Sequence, residues 1–304
     1  MGRIAFLFSG QGAQFPGMGK SFYESNADIK ALFDRCEEIK SGTLDVMFNG
    51  PEDVLTDTVN AQPALYLCDL ASAIAAGKAG INADAVCGFS LGELPALAFA
   101  DAFSYEDGFK LVIKRASAMA KAGKENESGM AAVVKLSNED VEKACEAVPG
   151  TYPVNYNCQG QVSVSLRPEL IEPLSAKVRE MGGRVIPLKV SGGFHSPYMD
   201  TAAEEFAVEL DKASIGLPKI TAYSNVTARP YKDEVKETLK KQINSPVRWE
   251  DTIKDLAGSG FDTFIETGVG TVLQKLVMKI LPEAKTYAIS DVESLETVKK
   301  ELSL

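Results

Sequence analysis

The motif Gly-Phe-Ser-Leu-Gly at residues 88–92 constrains the fold most, because it stands between a predicted strand and a predicted helix. The preceding run, 85–87, is short and apolar, and a helical pattern begins at Leu91. Pro95 falls in the first turns of that helix, where a missing amide hydrogen is tolerated. Glycines on both sides permit a strained turn that presents the Ser90 hydroxyl at the positive end of the helix. The motif therefore predicts a nucleophile elbow.

Short apolar runs alternate with helical patterns along most of the chain, which is typical of an α/β fold with a largely parallel sheet. The strands are predicted at 4–8, 85–88, 220–224, 263–266 and 286–289. The helices are predicted at 27–39, 62–76, 91–100, 105–122, 197–210, 232–243, 250–257 and 272–280. We therefore expect an α/β-hydrolase-like large domain.

A different order of elements follows the linker at 123–129. The patterns predict a strand at 130–136, a helix at 138–147, strands at 152–156 and 161–166, a helix at 168–181 and a strand at 184–189. This βαββαβ order is that of the ferredoxin-like unit. We predict a small subdomain at 126–190, inserted into a large catalytic domain made of 1–125 and 191–304. An active site is expected at the seam, where pockets commonly lie.

The chain has a single histidine, His195. Histidine is the side chain whose ordinary pKa lies near neutrality, so an imidazole is the usual base for a serine hydroxyl. Taken alone, His195 also fits a structural histidine, and the motif around Ser90 also fits a simple Gly-Ser turn. Together they predict a catalytic pair.

A glycine-rich loop follows the first predicted strand, at residues 8–19. A dinucleotide-binding motif would need its third glycine where Phe15 stands, and no phosphate-binding GxxxxGK[ST] motif is present. A glycine-rich turn can instead place a backbone amide beside a nucleophile on the neighbouring strand. We predict that the amides of Gln11 and Leu91 form an oxyanion hole.

Charge and cysteine content exclude several classes of function. The formal net charge of −10 argues against nucleic acid and against a basic membrane-surface role. The five cysteines are widely spaced without a CxxC pair, and together with the single histidine this argues against a metal centre. The longest apolar stretch, 65–76, carries Asp69 and is too short to span a bilayer. We see no targeting segment and expect a cytoplasmic protein.

Seven features in order carry a family resemblance. They are Phe-Ser-Gly-Gln-Gly-Ala-Gln at 8–14, Gln-Pro-Ala at 62–64, Gly-Phe-Ser-Leu-Gly-Glu at 88–93, Arg115, Asn-Tyr-Asn at 155–157, Gly-Phe-His-Ser-Pro at 193–197 and Asn-Ser-Pro-Val-Arg-Trp at 244–249. The chain resembles the malonyl-CoA:acyl carrier protein transacylases of type II fatty acid synthesis over essentially its whole length.

The resemblance implies an acyltransferase that moves malonyl from malonyl-CoA to the phosphopantetheine thiol of acyl carrier protein. It implies no cofactor, since coenzyme A enters as the thioester substrate and the partner carries the phosphopantetheine. It implies Ser90 as nucleophile and His195 as base, with a backbone carbonyl at Arg248 orienting His195. The residues implied to bind substrate are Gln62, Arg115, Asn155, Asn157 and Phe194.

Arg115 accounts for the implied choice of acyl group. A planar guanidinium can hold a carboxylate through two parallel hydrogen bonds, and malonyl carries a carboxylate that acetyl lacks. Without the resemblance, Arg115 beside Lys114 also fits a solvent-facing helix position. With it, we predict a carboxylate clamp.

The chain departs from the family pattern in several places, the first being Phe89, where histidine is usual before the nucleophile. The others are Gln159-Gly160-Gln161 after Cys158 where Pro-Gly-Gln is usual, Leu166 in place of glycine, and Val269 in the late glycine turn where proline is usual. None of these changes removes a catalytic group.

Two alternatives remain open from the sequence: a discrete malonyl acyltransferase of a polyketide pathway, and a serine thioesterase or hydrolase. For the acidic carrier protein, a basic docking patch is predicted near the cleft. Its candidates are Lys110, Lys114, Arg115, Lys189, Lys236, Lys240, Lys241 and Arg248.

Overall fold

A computed structural model describes residues 2–304 of the chain. The strands are β1 (Arg3–Phe8), β2 (Ala85–Gly88), β3 (Gly129–Val134), β4 (Tyr152–Cys158), β5 (Gln161–Leu166), β6 (Arg184–Pro187), β7 (Thr221–Ala222), β8 (Phe261–Thr267) and β9 (Lys285–Ile289). The helices are α1 (Lys20–Ser25), α2 (Ala27–Ile39), α3 (Thr43–Asn49), α4 (Glu52–Thr56), α5 (Thr58–Lys78), α6 (Glu93–Phe99), α7 (Tyr105–Glu125), α8 (Asn138–Glu146), α9 (Ile171–Glu180), α10 (Asp200–Lys212), α11 (Val235–Gln242), α12 (Trp249–Gly258), α13 (Val272–Ile280) and α14 (Val292–Glu301).

The larger body is built on a five-stranded parallel sheet with the strand order β7-β2-β1-β8-β9. Phe8 at the end of β1 pairs in register with Gly88 at the end of β2. Both strands therefore deliver their following loops to the same edge of the sheet, the carboxyl edge where α/β proteins place their sites. This confirms the predicted α/β class and brings the glycine-rich loop beside the serine motif.

The predicted strand at 220–224 is shorter than expected. Only Thr221 and Ala222 form β7, because the chain then turns back on itself. The amide of Ser224 donates to the Arg229 carbonyl at 3.0 Å, and that of Tyr231 donates to the Ala222 carbonyl at 2.8 Å. The turn places the polar residues 224 and 225 next to the end of β2, where they meet the serine motif.

A second, antiparallel sheet has the strand order β4-β5-β3-β6 and is backed by α8 and α9. The chain order β3-α8-β4-β5-α9-β6 is the predicted βαββαβ unit, and this strand order is that of a ferredoxin-like sheet. This sheet has its own apolar core, which includes Val133, Val162 and Leu174. The exact limits of a subdomain at 126–190 stay a prediction.

The expected linker at 123–129 is shorter in the structure, because α7 continues to Glu125. The amide of Asn126 still donates to the Ala122 carbonyl at 2.9 Å, which extends the helix by three residues beyond the prediction. Four short or terminal helices, α1, α3, α4 and α14, were not predicted at all.

Helix α5 crosses the interior of the larger body and is buried along most of its length. It starts at Thr58, four residues before the predicted start, and therefore contains Pro63 in its second turn. The proline cannot donate to the Val59 carbonyl, and that oxygen instead accepts from the Lys40 ammonium at 3.1 Å. Of the helices in the described range, none is long and apolar enough to cross a membrane.

Candidate active site

The serine motif has the predicted strand-turn-helix geometry. β2 ends at Gly88, Ser90 has a φ of 54° in the left-handed region, and a 3₁₀ turn at Ser90–Gly92 leads into α6. A side chain at Gly88 would overlap the backbone of Gly92, and a side chain at Gly92 would overlap the backbone of Phe8. Both glycines are therefore required by close backbone approach, and the strain at Ser90 is held by these contacts.

The side chain of Asn225 holds the turn at Ser90 through two hydrogen bonds. Its Oδ1 accepts from the Ser90 amide at 2.7 Å, and its Nδ2 donates to the Gly88 carbonyl at 2.6 Å. Asn225 is buried. It was not predicted from the sequence, because it lies 135 residues from the motif and carries no pattern of its own.

Ser90 and His195 form a close pair, with 2.6 Å between Ser90 Oγ and His195 Nε2. The other ring nitrogen, Nδ1, lies 2.9 Å from the Gln242 carbonyl oxygen and 3.2 Å from the Ser245 carbonyl oxygen. Carbonyl oxygens only accept, so Nδ1 carries the hydrogen and Nε2 is free to accept from the serine hydroxyl. This is the tautomer that a serine-activating base needs.

The expectation that Arg248 orients His195 is wrong. The Arg248 carbonyl accepts from the amide and the hydroxyl of Thr252, each at 3.0 Å, because Arg248 caps the start of α12. Its guanidinium pairs with Asp251. The stretch 243–247 turns before this helix begins, so the carbonyls of Gln242 and Ser245 face the imidazole instead.

His195 is buried, and burial lowers its pKa to about 4, with the nearby charge of Arg115 acting in the same direction. Taking a charged imidazolium out of water is unfavourable, and a second cation beside it adds to the cost. The ring is therefore neutral at neutral pH and able to take a proton.

Arg115 lies on α7 and is only 1% exposed, so a solvent-facing position is wrong, as is a role in a docking patch. Its Nη1 donates to Gln62 Oε1 at 2.7 Å, and its Nε and Nη2 donate to Gln242 Oε1 at 3.3 and 2.9 Å. Nη2 also donates to Ser90 Oγ at 3.1 Å. Burial lowers the pKa of Arg115 to about 10, which leaves it charged at neutral pH.

Gln242 connects these groups, and the sequence did not reveal it. Its side-chain Nε2 donates to the Ser90 carbonyl at 2.5 Å and to Glu93 Oε2 at 2.9 Å. Its side-chain oxygen holds Arg115, and its backbone oxygen holds His195. An uncharged amide at the end of a helix rich in charged residues gives no sequence signal for such a role.

Ser90, Arg115 and His195 border a cavity of about 430 Å³ between the two sheets, which we call the reaction cavity. Its lining includes the predicted residues Gln11, Gln62, Ser90, Leu91, Arg115, Asn155, Phe194 and His195. Tertiary folding thus brings together eight predicted residues, of which the first and the last are 184 positions apart in the chain.

A second cavity of about 300 Å³ adjoins the first, and we call it the side cavity. Phe89 and Asn155 border both cavities, whereas Asn157 and Glu266 border only the side cavity. Phe89, where the resemblance implies a histidine, packs against Trp249 with 5.6 Å between the ring centroids. The predicted residue Asn157 therefore lies apart from the reacting pair.

Both expected oxyanion donors are placed at the reaction cavity. Gln11 and Leu91 border it, and between residues 2 and 304 neither backbone amide donates to a backbone carbonyl. Gln11 is also tied down through its side chain, whose Nε2 donates to Thr58 Oγ1 at 3.3 Å. Two amides without backbone partners beside the serine are suited to receive an oxygen anion.

The remaining basic candidates divide by their partners. Lys110, Lys114, Lys240 and Arg248 form salt bridges with nearby carboxylates, which satisfies their charge locally. Lys189 is exposed and borders the reaction cavity.

The five cysteines are all free and buried. Within the part of the chain that the structure describes, no cluster of three or more histidine, cysteine or acidic side chains could hold a metal ion.

Comparison with known proteins is consistent with this geometry. A family model described as an acyl transferase domain matches residues 5–303. The malonyl CoA-acyl carrier protein transacylase of Bacillus subtilis is 40% identical, covering 97% of this chain and 96% of the relative. The crystal structure of the enzyme of that name from Clostridium perfringens superposes with a TM-score of 0.95 at 36% identity, covering 99% and 97% of the two chains.

A further solved structure is that of a malonyl-transacylase in complex with a type II PKS acyl-carrier protein. It is 28% identical to this chain, with a TM-score of 0.94 and coverage of 98% and 99%. Sequence and structure agree over the full length, from the parallel sheet to the antiparallel one. We conclude that this chain belongs to the malonyl CoA-acyl carrier protein transacylase family of acyltransferases.

Proposed function

We propose that this chain transfers the malonyl group of malonyl-CoA to the phosphopantetheine thiol of an acyl carrier protein, through a malonyl ester on Ser90. The observation that carries the proposal is that one cavity holds both a serine–histidine pair at 2.6 Å and a buried, charged arginine. The pair provides acyl transfer, and the arginine provides recognition of an acyl group that ends in a carboxylate.

In the first half-reaction, Ser90 Oγ attacks the thioester carbonyl carbon while His195 Nε2 takes the hydroxyl proton. The amides of Gln11 and Leu91 stabilise the oxygen anion of the tetrahedral intermediate. The carbon–sulfur bond then breaks, and the imidazolium returns its proton to the coenzyme A sulfur. The Gln242 and Ser245 carbonyls keep the imidazole in the required tautomer throughout.

In the second half-reaction, His195 takes the proton of the pantetheine thiol, whose sulfur attacks the malonyl ester. The ester carbon–oxygen bond breaks, and Ser90 recovers its proton from the imidazolium. The donor, malonyl-CoA, and the acceptor, the carrier protein, use the site in turn, which predicts ping-pong kinetics. The substrates bring the coenzyme A and the phosphopantetheine with them, and we propose that no further cofactor is used.

Arg115 is arranged to bind the distal carboxylate. A guanidinium has five N–H groups. The side-chain oxygens of Gln62 and Gln242 accept from three of them: the N–H on Nε, one of the two on Nη1 and one of the two on Nη2. The second Nη2 hydrogen points to Ser90 Oγ and is released when that oxygen becomes an ester. One N–H on each terminal nitrogen is then available, and two parallel N–H groups match a carboxylate.

We propose that the carrier protein belongs to fatty acid biosynthesis and that the protein is cytoplasmic, where buried thiols such as its five cysteines stay reduced. A polyketide carrier is the second candidate, because the structure of a relative was solved in complex with a type II PKS acyl-carrier protein. Transfer rates to a carrier protein of each kind, measured side by side, distinguish the two pathways.

The intact mass of the protein after mixing with malonyl-CoA tests the proposal. We expect one malonyl adduct per chain, mapped to Ser90, and release of one equivalent of coenzyme A followed by a stall. Addition of a pantetheine thiol restarts turnover. Steady release of coenzyme A without an acceptor would identify a hydrolase, and an adduct at another residue would overturn the assignment of Ser90.

A further inference from the structure

A buried carboxyl group lies behind Arg115, on the side away from the reaction cavity. Glu93, in the first turn of α6, has an exposed fraction of 0%. Its Oε1 accepts from the Asn225 amide at 3.1 Å and from the Tyr231 hydroxyl at 2.5 Å, and its Oε2 accepts from Gln242 Nε2 at 2.9 Å. The catalytic steps described above do not use this carboxyl group.

The Gln242 side chain links Glu93 to Arg115 in a fixed direction. Arg115 can only donate, so the amide oxygen must face it and the amide nitrogen must face Glu93. A guanidinium, one amide and one carboxyl group therefore stand in a row of hydrogen bonds that all run the same way. Such rows polarise each other inside a protein, where the dielectric constant is low.

The ionisable groups that face Glu93 come from three directions. Tyr231 approaches from the loop after β7, Cys87 from β2, and Arg115 from α7. His195, on the far side of Arg115, is neutral at neutral pH. The positive charge next to Glu93 is thus that of Arg115, and the two groups are natural counter-charges.

We propose that Glu93 is a positioning residue that acts on Arg115 through the Gln242 side chain, and that a bound malonyl carboxylate competes with Glu93 for the charge of Arg115. Malonyl binding is then coupled to uptake of a proton from solvent by Glu93. This inference rests on the proposed function, since it requires Arg115 to bind the malonyl carboxylate.

The reason is the charge balance of a buried site. With malonyl bound, two carboxylates would share one guanidinium out of contact with water, and one of them is best neutralised. Burial already raises the pKa of Glu93 to about 7, against the lowering effect of its hydrogen bonds from Tyr231 and Gln242. Glu93 is therefore the carboxyl group that takes the proton.

The proton also has a place to go. When Glu93 Oε1 is protonated, its O–H can donate a hydrogen bond to the Tyr231 oxygen, because a hydroxyl can accept as well as donate. Oε2 still accepts from Gln242, and the amide keeps its orientation toward Arg115. Neutralising Glu93 therefore leaves the hydrogen bonds to Arg115 in place.

The proposed coupling predicts the direction in which pH changes malonyl binding. Below pH 7 Glu93 is neutral and does not compete, so the malonyl carboxylate binds well; above pH 7 it is ionised and binding weakens. An acetyl group has no carboxylate and does not sense this change. The ratio of kcat/KM for malonyl over acetyl thioesters should therefore fall as pH rises from about 5.5 to about 8.5, by roughly tenfold, the factor that one pKa unit of coupling gives.

Malonyl-pantetheine and acetyl-pantetheine are the probes, because they lack the titrating phosphates of coenzyme A. Ionisation of His195 in the free enzyme affects both and cancels in the ratio. In Glu93→Gln we expect a ratio that does not change with pH. The matched control is Glu266→Gln, which removes another buried carboxyl group with a pKa raised to about 7 and without contact to Gln242. The control should keep the wild-type fall.

Tyr231→Phe tests the same coupling without removing the carboxyl group, in case Glu93→Gln does not fold. Loss of the hydroxyl removes a donor that lowers the pKa of Glu93, so the midpoint of the fall should move to higher pH. A flat ratio in the wild type, an unmoved midpoint in Tyr231→Phe, or the same fall in Glu93→Gln overturns the coupling alone. Absence of any malonyl ester on Ser90 overturns the proposed function, and this inference with it.

Discussion

The two adjoining cavities share Phe89 as a wall but differ in how their polar groups are satisfied. In the reaction cavity, Ser90, His195 and Arg115 are hydrogen-bonded to one another or to neighbouring protein groups. Glu266 Oε1, which borders only the side cavity, is buried and has no hydrogen-bond partner among the described residues. The same holds for Asn155 Oδ1 at the boundary between the two cavities.

This difference suits the two cavities to different tasks, bond making in one and binding in the other. Groups that are already bonded to each other need no rearrangement when a reaction begins, which is what a site of bond making requires. Buried polar atoms without partners are unusual in folded proteins and mark places where a ligand or water completes the hydrogen bonding. The reaction cavity is thus organised for chemistry, and the side cavity has binding capacity left over.

The largest expected effect comes from removing the reacting pair. Ser90→Ala should form no acyl-enzyme, and His195→Ala should slow acylation by about 10⁴-fold or more, since a nucleophile and its base act as a unit. Intact mass with malonyl-CoA measures both. A stable malonyl adduct on Ser90→Ala would place the chemistry outside the reaction cavity and break the comparison.

Arg115→Ala should lower kcat/KM for malonyl transfer by about a hundredfold, because a buried charged pair with the substrate is lost. Acetyl transfer should be kept or increased. Since Arg115 also lowers the pKa of His195, the acid limb of acetyl transfer should move to higher pH. Equal losses for both acyl groups would show that Arg115 is structural.

Asn155→Ala should have a smaller effect of a different kind. Its unpartnered oxygen borders both cavities, and loss of one hydrogen bond to the thioester should lower kcat/KM by about fivefold. The loss should be the same for malonyl and acetyl, because it concerns the part of the substrate that they share. A loss restricted to malonyl would instead assign Asn155 to recognition of the acyl group.

The smallest effect concerns stability at Glu266 in the side cavity. Burial raises its pKa from 4.5 to about 7, so it contributes stability that is complete below pH 4.5 and lost as pH rises to about 7. In Glu266→Gln, the melting temperature should fall less over this range than in the wild type, by roughly 4 °C. Calorimetry at several pH values measures this, with the exposed Glu283→Gln as control. Parallel curves for wild type and Glu266→Gln would show that Glu266 is not the titrating group.

Much of the fold could be predicted from the sequence, because its signals are local. The serine motif at 88–92 needs only a strand before it and a helix after it, and both are readable from nearby residues. The βαββαβ order also follows from local patterns. The short strand β7 was overestimated, because the turn that ends it is set by contacts at 224–231 and not by its own residues.

The site residues also differ in whether the local sequence identifies them. Ser90 and His195 could be identified because one lies in a distinctive motif and the other is the only histidine of the chain. Arg115 was found through the family resemblance, but its burial could not be seen, since a helix with Lys114 beside it looks solvated.

What only the tertiary structure decided is the set of groups that orient the site. Asn225, Gln242 and the carbonyl of Ser245 lie 135 or more positions after Ser90 and act through amide and backbone atoms, which every sequence contains. Arg248 was wrongly chosen for this reason: where the backbone turns into α12 determines which carbonyls face His195. Side-chain identity specifies what chemistry is possible, whereas the direction of a backbone carbonyl depends on packing across the whole molecule.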